Sequence, residues 1–289
     1  MARQLATGPI ADSDISTCLL TSDDFSLEIE VLAACAGVGW EVRHGATYED
    51  PVTGIPRQFD IRAMTIEGHL GMRLAIECKS LKPNFPLVVS QLPRTANERQ
   101  HDVLASYRPL SDLTNAKTWR VRPALSMYKQ GSYVGKSLTQ VGKSANTPEW
   151  VTGDGEVYNK WAQALASCKD LIADAALAYA KNSVKAWTII LPVLVVRDGT
   201  LWAVNYDLNG NASPPKQLDE VNFYVGKDYT VQAAYPNLRP VSINYMLSHL
   251  HIFTLKGFRN FINSVGKTWD WKHIIPIDNQ TSEVAGEPL

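Results

Sequence analysis

The chain reads as an α/β protein in which a mixed central sheet is flanked by helices. Three observations predict this class. A helical apolar period near residue 25 is followed by short strand-like runs up to residue 80. A long amphipathic pattern then fills residues 156–181. A nearly continuous apolar run comes directly after it. Helix, strands, helix and buried strand in that order describe a sheet covered on both faces.

Each element has its own signal. Phe25, Ile29, Leu32 and Ala36 recur at helical spacing, and Gly37 and Gly39 stop the pattern. Residues 40–44 form a short strand, and 45–54 a loop. Residues 58–66 alternate, Glu67-Gly68 is a turn, and 71–80 alternate again. Leu87-Val88-Val89 is a brief strand among Pro83, Pro86 and Pro93. Residues 94–150, rich in Ser, Thr, Gly and Lys, are expected as an insertion of loops and short elements. Val157, Trp161, Leu165, Cys168, Ile172 and Ala175 make one helical stripe. Residues 187–196 are a strand covered on both faces, Asp198-Gly199 a hairpin turn, and 201–206 the returning strand. A strand at 249–255 and a helix at 257–265 complete the series. The expected organisation is an arm at 1–24, one domain at 25–270 carrying the insertion at about 94–150, and a polar tail at 271–289. No repeat of solenoid or propeller length is visible.

Composition narrows the function. The 289 residues are 45% hydrophobic and 20% charged, as in ordinary folded proteins. The net charge of −1 means that nucleic-acid affinity must come from a local patch. The longest apolar stretch, Ala186–Val196, is interrupted by Pro192 and is too short to span a bilayer. MARQLATGPIADSD holds no apolar run of a secretory signal. Cys18, Cys35, Cys78 and Cys168 form no C-x-x-C pair, so reduced thiols in a cytoplasmic protein, with no membrane partner, are expected.

The segment 57–80 carries the chemistry. Alternation sends Met72, Leu74, Ile76 and Cys78 to one face of a strand, and Arg73, Ala75, Glu77 and Lys79 to the other. In the preceding strand Gln58, Asp60 and Arg62 share a face opposite Phe59 and Ile61. Pairing the two strands brings Asp60 beside Glu77. Two facing carboxylates repel unless a cation sits between them. Mg²⁺ suits that place, because it takes oxygen ligands and keeps waters of its own. Lys79 stands next to such an ion, where it can position a water or neutralise developing charge. Glu28, flanked by Phe25, Val31, Leu32 and Cys35, lies on the core-facing side of the first helix and needs a partner there. Glu30 leans outward.

These residues resemble the PD-(D/E)XK, or restriction-endonuclease-like, nuclease superfamily. Its pattern is a glutamate on the first helix, an aspartate on the second strand and (D/E)-x-K on the third. Glu28, Asp60-Ile61 and Glu77-Cys78-Lys79 stand in that order. Phe59 replaces the proline of the family name, and the Gln-x-x-x-Tyr of some members is Gln163 followed by Ser167. The resemblance implies an αβββαβ core and phosphodiester cleavage with Mg²⁺, or with Mn²⁺ in its place. It also implies that Asp60, Glu77 and the Cys78 carbonyl hold the metal, that Lys79 acts on the attacking water, and that Glu28 assists. A DNA endonuclease of restriction, anti-phage defence or DNA processing is therefore expected.

Residues 108–145 hold Arg108, Lys117, Arg120, Arg122, Lys129, Lys136 and Lys143 against one acid, Asp112. Interleaved with Trp119, Tyr128 and Tyr133, they are a candidate phosphate-contacting surface, with Lys129, Lys136 and Lys143 as its bases. DNA is the expected partner. A homodimer would bring two symmetric sites to two strands, and a partner protein of a defence system is a further candidate. The alternative is a nucleic-acid-binding or scaffold protein on the same fold without catalysis. A carboxylate-pair sugar hydrolase is a more distant rival that needs no metal. Gly135-Lys136-Ser137 lacks the earlier glycine of a P-loop. His249 and His251 share one strand face without an evident third zinc ligand.

Overall fold

A computed structural model describes residues 8–265, apart from 22, 51–52, 69, 108–116, 122–126, 178–185 and 234–240. The helices are α1 (Asp12–Thr21), α2 (Asp24–Gly37), α3 (Gly155–Leu177) and α4 (Leu255–Ser264). Between α2 and α3 run β1 (Glu41–His44), β2 (Thr47–Glu49), β3 (Pro56–Gln58), β4 (Ile61–Glu67), β5 (Leu70–Lys79), β6 (Leu87–Pro93), β7 (Val103–Tyr107), β8 (Lys117–Val121), β9 (Tyr133–Lys143) and β10 (Trp150–Gly153). After α3 come β11 (Ala186–Val196), β12 (Leu201–Asn205), β13 (Lys216–Gln217), β14 (Glu220–Ala233) and β15 (Val241–Thr254).

The main sheet runs β1-β4-β5-β11-β15-β14-β9-β6-β12-β13, with β10 beside β9 and β7 and β8 attached at β11. β2 and β3 form a separate pair. β1, β4 and β5 are an antiparallel meander, whereas β5, β11 and β15 run parallel. The sheet is therefore mixed, and helices cover both faces. Leu27, Val31 and Cys35 of α2 and Phe258, Phe261 and Ile262 of α4 pack with Met72, Leu74, Ile76 and Cys78 on one face. Leu165, Cys168, Leu171 and Ile172 of α3 pack with Ala75 and Ile190 on the other. β11 lies between β5 and β15, and its residues from Thr188 to Val196 are all buried. This is the sandwiched strand that the apolar run predicts.

Four expectations need correction. First, the α2 stripe is rotated. Phe25 and Ile29 are 53% and 41% exposed, and Leu27, Val31 and Cys35 form the buried line. The helix is apolar nearly all round, so spacing alone does not choose its face. Second, Asp198-Gly199 makes a turn, with Gly199 at φ 77°, but no hairpin. β12 pairs with β6 and β13 because both edges of β11 are already taken by β5 and β15. Third, residues 94–150 are not merely loops and short elements. They include β9, eleven residues long, inserted between β14 and β6. Two glycines hide its strand pattern. A Cβ on Gly135 would stand 2.6 Å from Phe223, and one on Gly142 would stand 2.8 Å from Phe85. Fourth, the terminal strand starts at Val241, and its antiparallel partner β14 extends over fourteen residues. The N-terminal segment contains the exposed helix α1.

The start of α4 shows how tightly the far end of the sheet is closed. The Thr254 side chain caps α4 by accepting from the Gly257 N–H, and the Thr254 N–H donates to the Asp219 carbonyl at 2.9 Å. A Cβ on Gly257 would lie 1.9 Å from that carbonyl oxygen. Gly257→Ala is expected to destabilise the fold by about 2 kcal/mol, although alanine stabilises an ordinary helix interior by about 1 kcal/mol. Urea denaturation of the two proteins measures the sign, and an unchanged or raised midpoint would refute the close packing.

Candidate active site

Strand register builds the site. β4 and β5 pair with Ile61 opposite Ile76 and Arg62 opposite Ala75, which sets Asp60, one residue before β4, across from Glu77. The Cys78 N–H donates to Asp60 Oδ2 at 2.8 Å, and the Asp60 N–H donates to Glu77 Oε1 at 3.4 Å. Asp60 is 9% exposed and Glu77 0%. Burial raises the Glu77 carboxyl well above its usual range, and the negative charge of Asp60 raises it further. Met72, Leu74, Ile76 and Cys78 turn into the opposite core, as alternation predicts.

The cation between the acids is a lysine that the sequence reading did not single out. Lys160 of α3 places Nζ 2.7 and 3.0 Å from the two Asp60 oxygens and 3.4 Å from Glu77 Oε2. Burial alone would lower its pKa, but the charges of Asp60 and Glu77 outweigh that cost and raise it. The available signal was its position four residues after Glu156, on one edge of the helix. Nothing in the spacing names a sheet partner so distant in the chain.

Lys79 is engaged elsewhere. Its Nζ lies 3.2 Å from Asp24 Oδ2 and 3.1 Å from Glu156 Oε2. Burial opposes this charge, and Glu156 and Asp24 together hold it above its usual value. Asp24 also accepts from the Ser80 N–H at 2.7 Å, which ties the first turn of α2 to the end of β5. The result is a line of alternating charges, Asp24, Lys79, Glu156, Lys160 and the acid pair. Farther along α3, Arg62 bonds Asp170 and the Ser167 carbonyl, each at 3.2 Å.

Glu28 makes its hydrogen bond outside the acid pair. Its Oε2 meets His44 Nε2 at 2.9 Å. Burial raises its pKa first, and the charge of Asp60 second, so it feels the site without entering it. Glu30 pairs with Arg197 at 2.5 Å and is more exposed, as expected. Among the described residues, no group of three or more His, Cys, Asp or Glu side chains is placed to hold a metal ion. Two convergent carboxylates still suit Mg²⁺, which needs few protein oxygens because it retains waters. The ammonium already seated between Asp60 and Glu77 marks the place as one that accepts a cation.

The candidate nucleic-acid bases are dispersed. Lys136 pairs with Glu98 at 2.8 Å and lies over the Tyr224 ring, Lys143 lies over Trp150, and Lys129 is exposed. Lys136 and Lys143 belong to β9, four strands from β5, or about 19 Å at ordinary strand spacing. Arg120 approaches Asp102 at 3.8 Å. Arg108 and Arg122 lie outside the described residues, as does the Lys117 side chain.

His249 and His251 do share a face, but it is a buried aromatic cluster. Tyr128 stacks on His249 at 3.6 Å and its hydroxyl shares a 2.7 Å hydrogen bond with His251 Nε2. Burial pushes His249 down to about 2 and His101 down to about 3. No helix among the described residues is long and apolar enough to cross a membrane. No family model, curated protein or solved structure matches the chain.

The Glu77 shift sets a pH dependence. The usual value is 4.5 and the folded value is higher, so between the two the folded protein keeps a proton that the unfolded chain releases. That contribution is complete below pH 4.5 and is lost as pH rises through the folded value. In EDTA, wild-type stability is expected to fall on going from pH 5 to 8 by up to about 1.4 kcal/mol per pH unit. Glu77→Gln should flatten this slope in urea denaturation across the range. Parallel pH profiles in the two proteins would rule out a buried, proton-holding Glu77.

Proposed function

We propose that this protein is a Mg²⁺-dependent endonuclease of the PD-(D/E)XK type that hydrolyses DNA phosphodiester bonds in restriction, anti-phage defence or DNA processing. The observation that carries the reading is the in-register meeting of Asp60 and Glu77 across β4 and β5, with Lys160 seated between them and Lys79 two residues after Glu77 on β5. The preceding helix α2, the meander β1-β4-β5, and α3 leading to β11 parallel to β5 support it, because this is the element order the resemblance implies.

In this reading Asp60 and Glu77 hold the metal, with the Cys78 backbone orienting Asp60 through its N–H. A divalent ion there would supply Lewis acidity to the phosphate and make a water acidic enough to attack it. Lys160 and Lys79 supply positive charge along one flank, suited to the additional negative charge of a phosphorane-like transition state. Glu28 and His44 form a pair beside the acids and steady the α2–β1 junction. The four cysteines are free thiols, in keeping with a cytoplasmic enzyme.

One observation favours a second reading, a nucleic-acid-binding or scaffold protein that does not cut. Lys160 already neutralises the acid pair, and Lys79 is already claimed by Asp24 and Glu156. Such a network can serve structure alone. Cleavage of supercoiled plasmid with Mg²⁺, with Mn²⁺ and with EDTA separates the two. The enzyme reading expects metal-dependent nicking that falls by about a hundredfold or more in Asp60→Ala, with circular dichroism showing that the variant folds. Absence of cutting by the wild type together with salt-sensitive DNA binding would favour the second reading.

A further inference from the structure

We infer that Lys160 is the resident counter-ion of the Asp60–Glu77 site, an ammonium that a divalent cation must displace before the site is loaded. This rests on the metal-site reading above and extends it to a residue outside the motif. Four features carry it.

Nζ of Lys160 touches both Asp60 oxygens and reaches Glu77, so it occupies the space between the acids that an ion bound by both would need. A cation and an ammonium at that separation repel strongly in a partly buried setting. They therefore compete rather than share. The second lysine does not fill the same place, since Lys79 is held by Asp24 and Glu156. Lys160 is also free to leave without moving the helix. Its side chain is 18% exposed, and Glu156 stands one turn earlier on α3 with its carboxylate 77% exposed. At the i, i+4 spacing that carboxylate is within reach of the released ammonium. Exchange then needs only side-chain rotation, with the acids passing from one cation to another.

Lys160 thus acts as a gate with a fixed charge. In the closed state it pairs with the Asp60 carboxylate and reaches Glu77, and in the open state its charge stands beside the loaded site. The opposing effects of removing and of reinforcing the ammonium give the test two directions. Lys160→Met keeps length and apolar volume but deletes the charge. Lys160→Arg keeps the charge and offers a fork that matches carboxylates.

Mn²⁺ is titrated into the full-length protein with free Mn²⁺ followed by electron paramagnetic resonance, and melting curves are recorded in EDTA and in Mn²⁺. Lys160→Met is expected to bind Mn²⁺ roughly ten- to a thousandfold more tightly than wild type, the range over which one neighbouring charge shifts an ionic equilibrium. Its melting temperature should drop in EDTA and rise more than that of wild type when Mn²⁺ is added. Lys160→Arg is expected to bind more weakly than wild type, and it decides the matter should the methionine variant fail to fold. Asp60→Asn serves as the site control and should lose the binding. If wild type binds Mn²⁺ through Asp60 and neither Lys160 variant changes the affinity, the gating role is overturned while the metal site stands. If no protein binds Mn²⁺ in an Asp60-dependent way, the metal site and the gate fall together.

Discussion

The meeting of Asp60 and Glu77 across two paired strands is the constraint around which this part of the molecule is arranged. Two carboxylates in a buried place cannot both stay charged without compensation. The fold answers in three ways at once. The Cys78 N–H donates to Asp60, Lys160 reaches over from α3, and burial favours a proton on Glu77. Each answer uses a different level of structure: backbone within the strand, side chain from a helix, and the low polarity of the core.

The requirement for a cation also explains how α3 lies on the sheet. Its apolar stripe buries Leu165, Cys168, Ile172 and Ala175, but an apolar stripe slides easily. Charge fixes the register. Glu156 meets Lys79, Lys160 meets the acids, and Asp170 meets Arg62, so charges of opposite sign face each other along the helix. Displacing the helix by a turn would set Glu156 against the acids and leave Lys79 with Asp24 alone. Individually exposed ion pairs of this kind contribute little. Their collective value here is positional, because one member is fully buried.

The acid pair was legible in the sequence because strand alternation and antiparallel pairing are local rules. Once 58–66 and 71–80 read as neighbours, Asp60 and Glu77 had to converge, and the structure places them so. The two-face burial of 187–196 was equally legible, since only a sandwiched strand tolerates so apolar a run, whereas its parallel pairing with β5 and β15 was not, because the turn after it read as a hairpin. What failed were the inferences that depended on which element already fills a neighbouring place. The α2 face, the route of β12 and the hidden strand β9 all depend on what already occupies the adjoining space. Gly135 and Gly142 look like loop residues in sequence and are glycines because Phe223 and Phe85 leave no room for a Cβ.

The sequence by itself determined which side chains share a strand face, and so determined the carboxylate pair and the direction of the apolar core. Tertiary structure alone decided which cation serves that pair. The sequence suggested Mg²⁺ between the acids with Lys79 beside it, yet the Lys79 ammonium is drawn to Asp24 and Glu156, and the ammonium of Lys160 takes the central place. The physical reason is that periodicity specifies direction within one element, whereas charge pairing is settled by distance between elements, and no spacing along the chain encodes that distance.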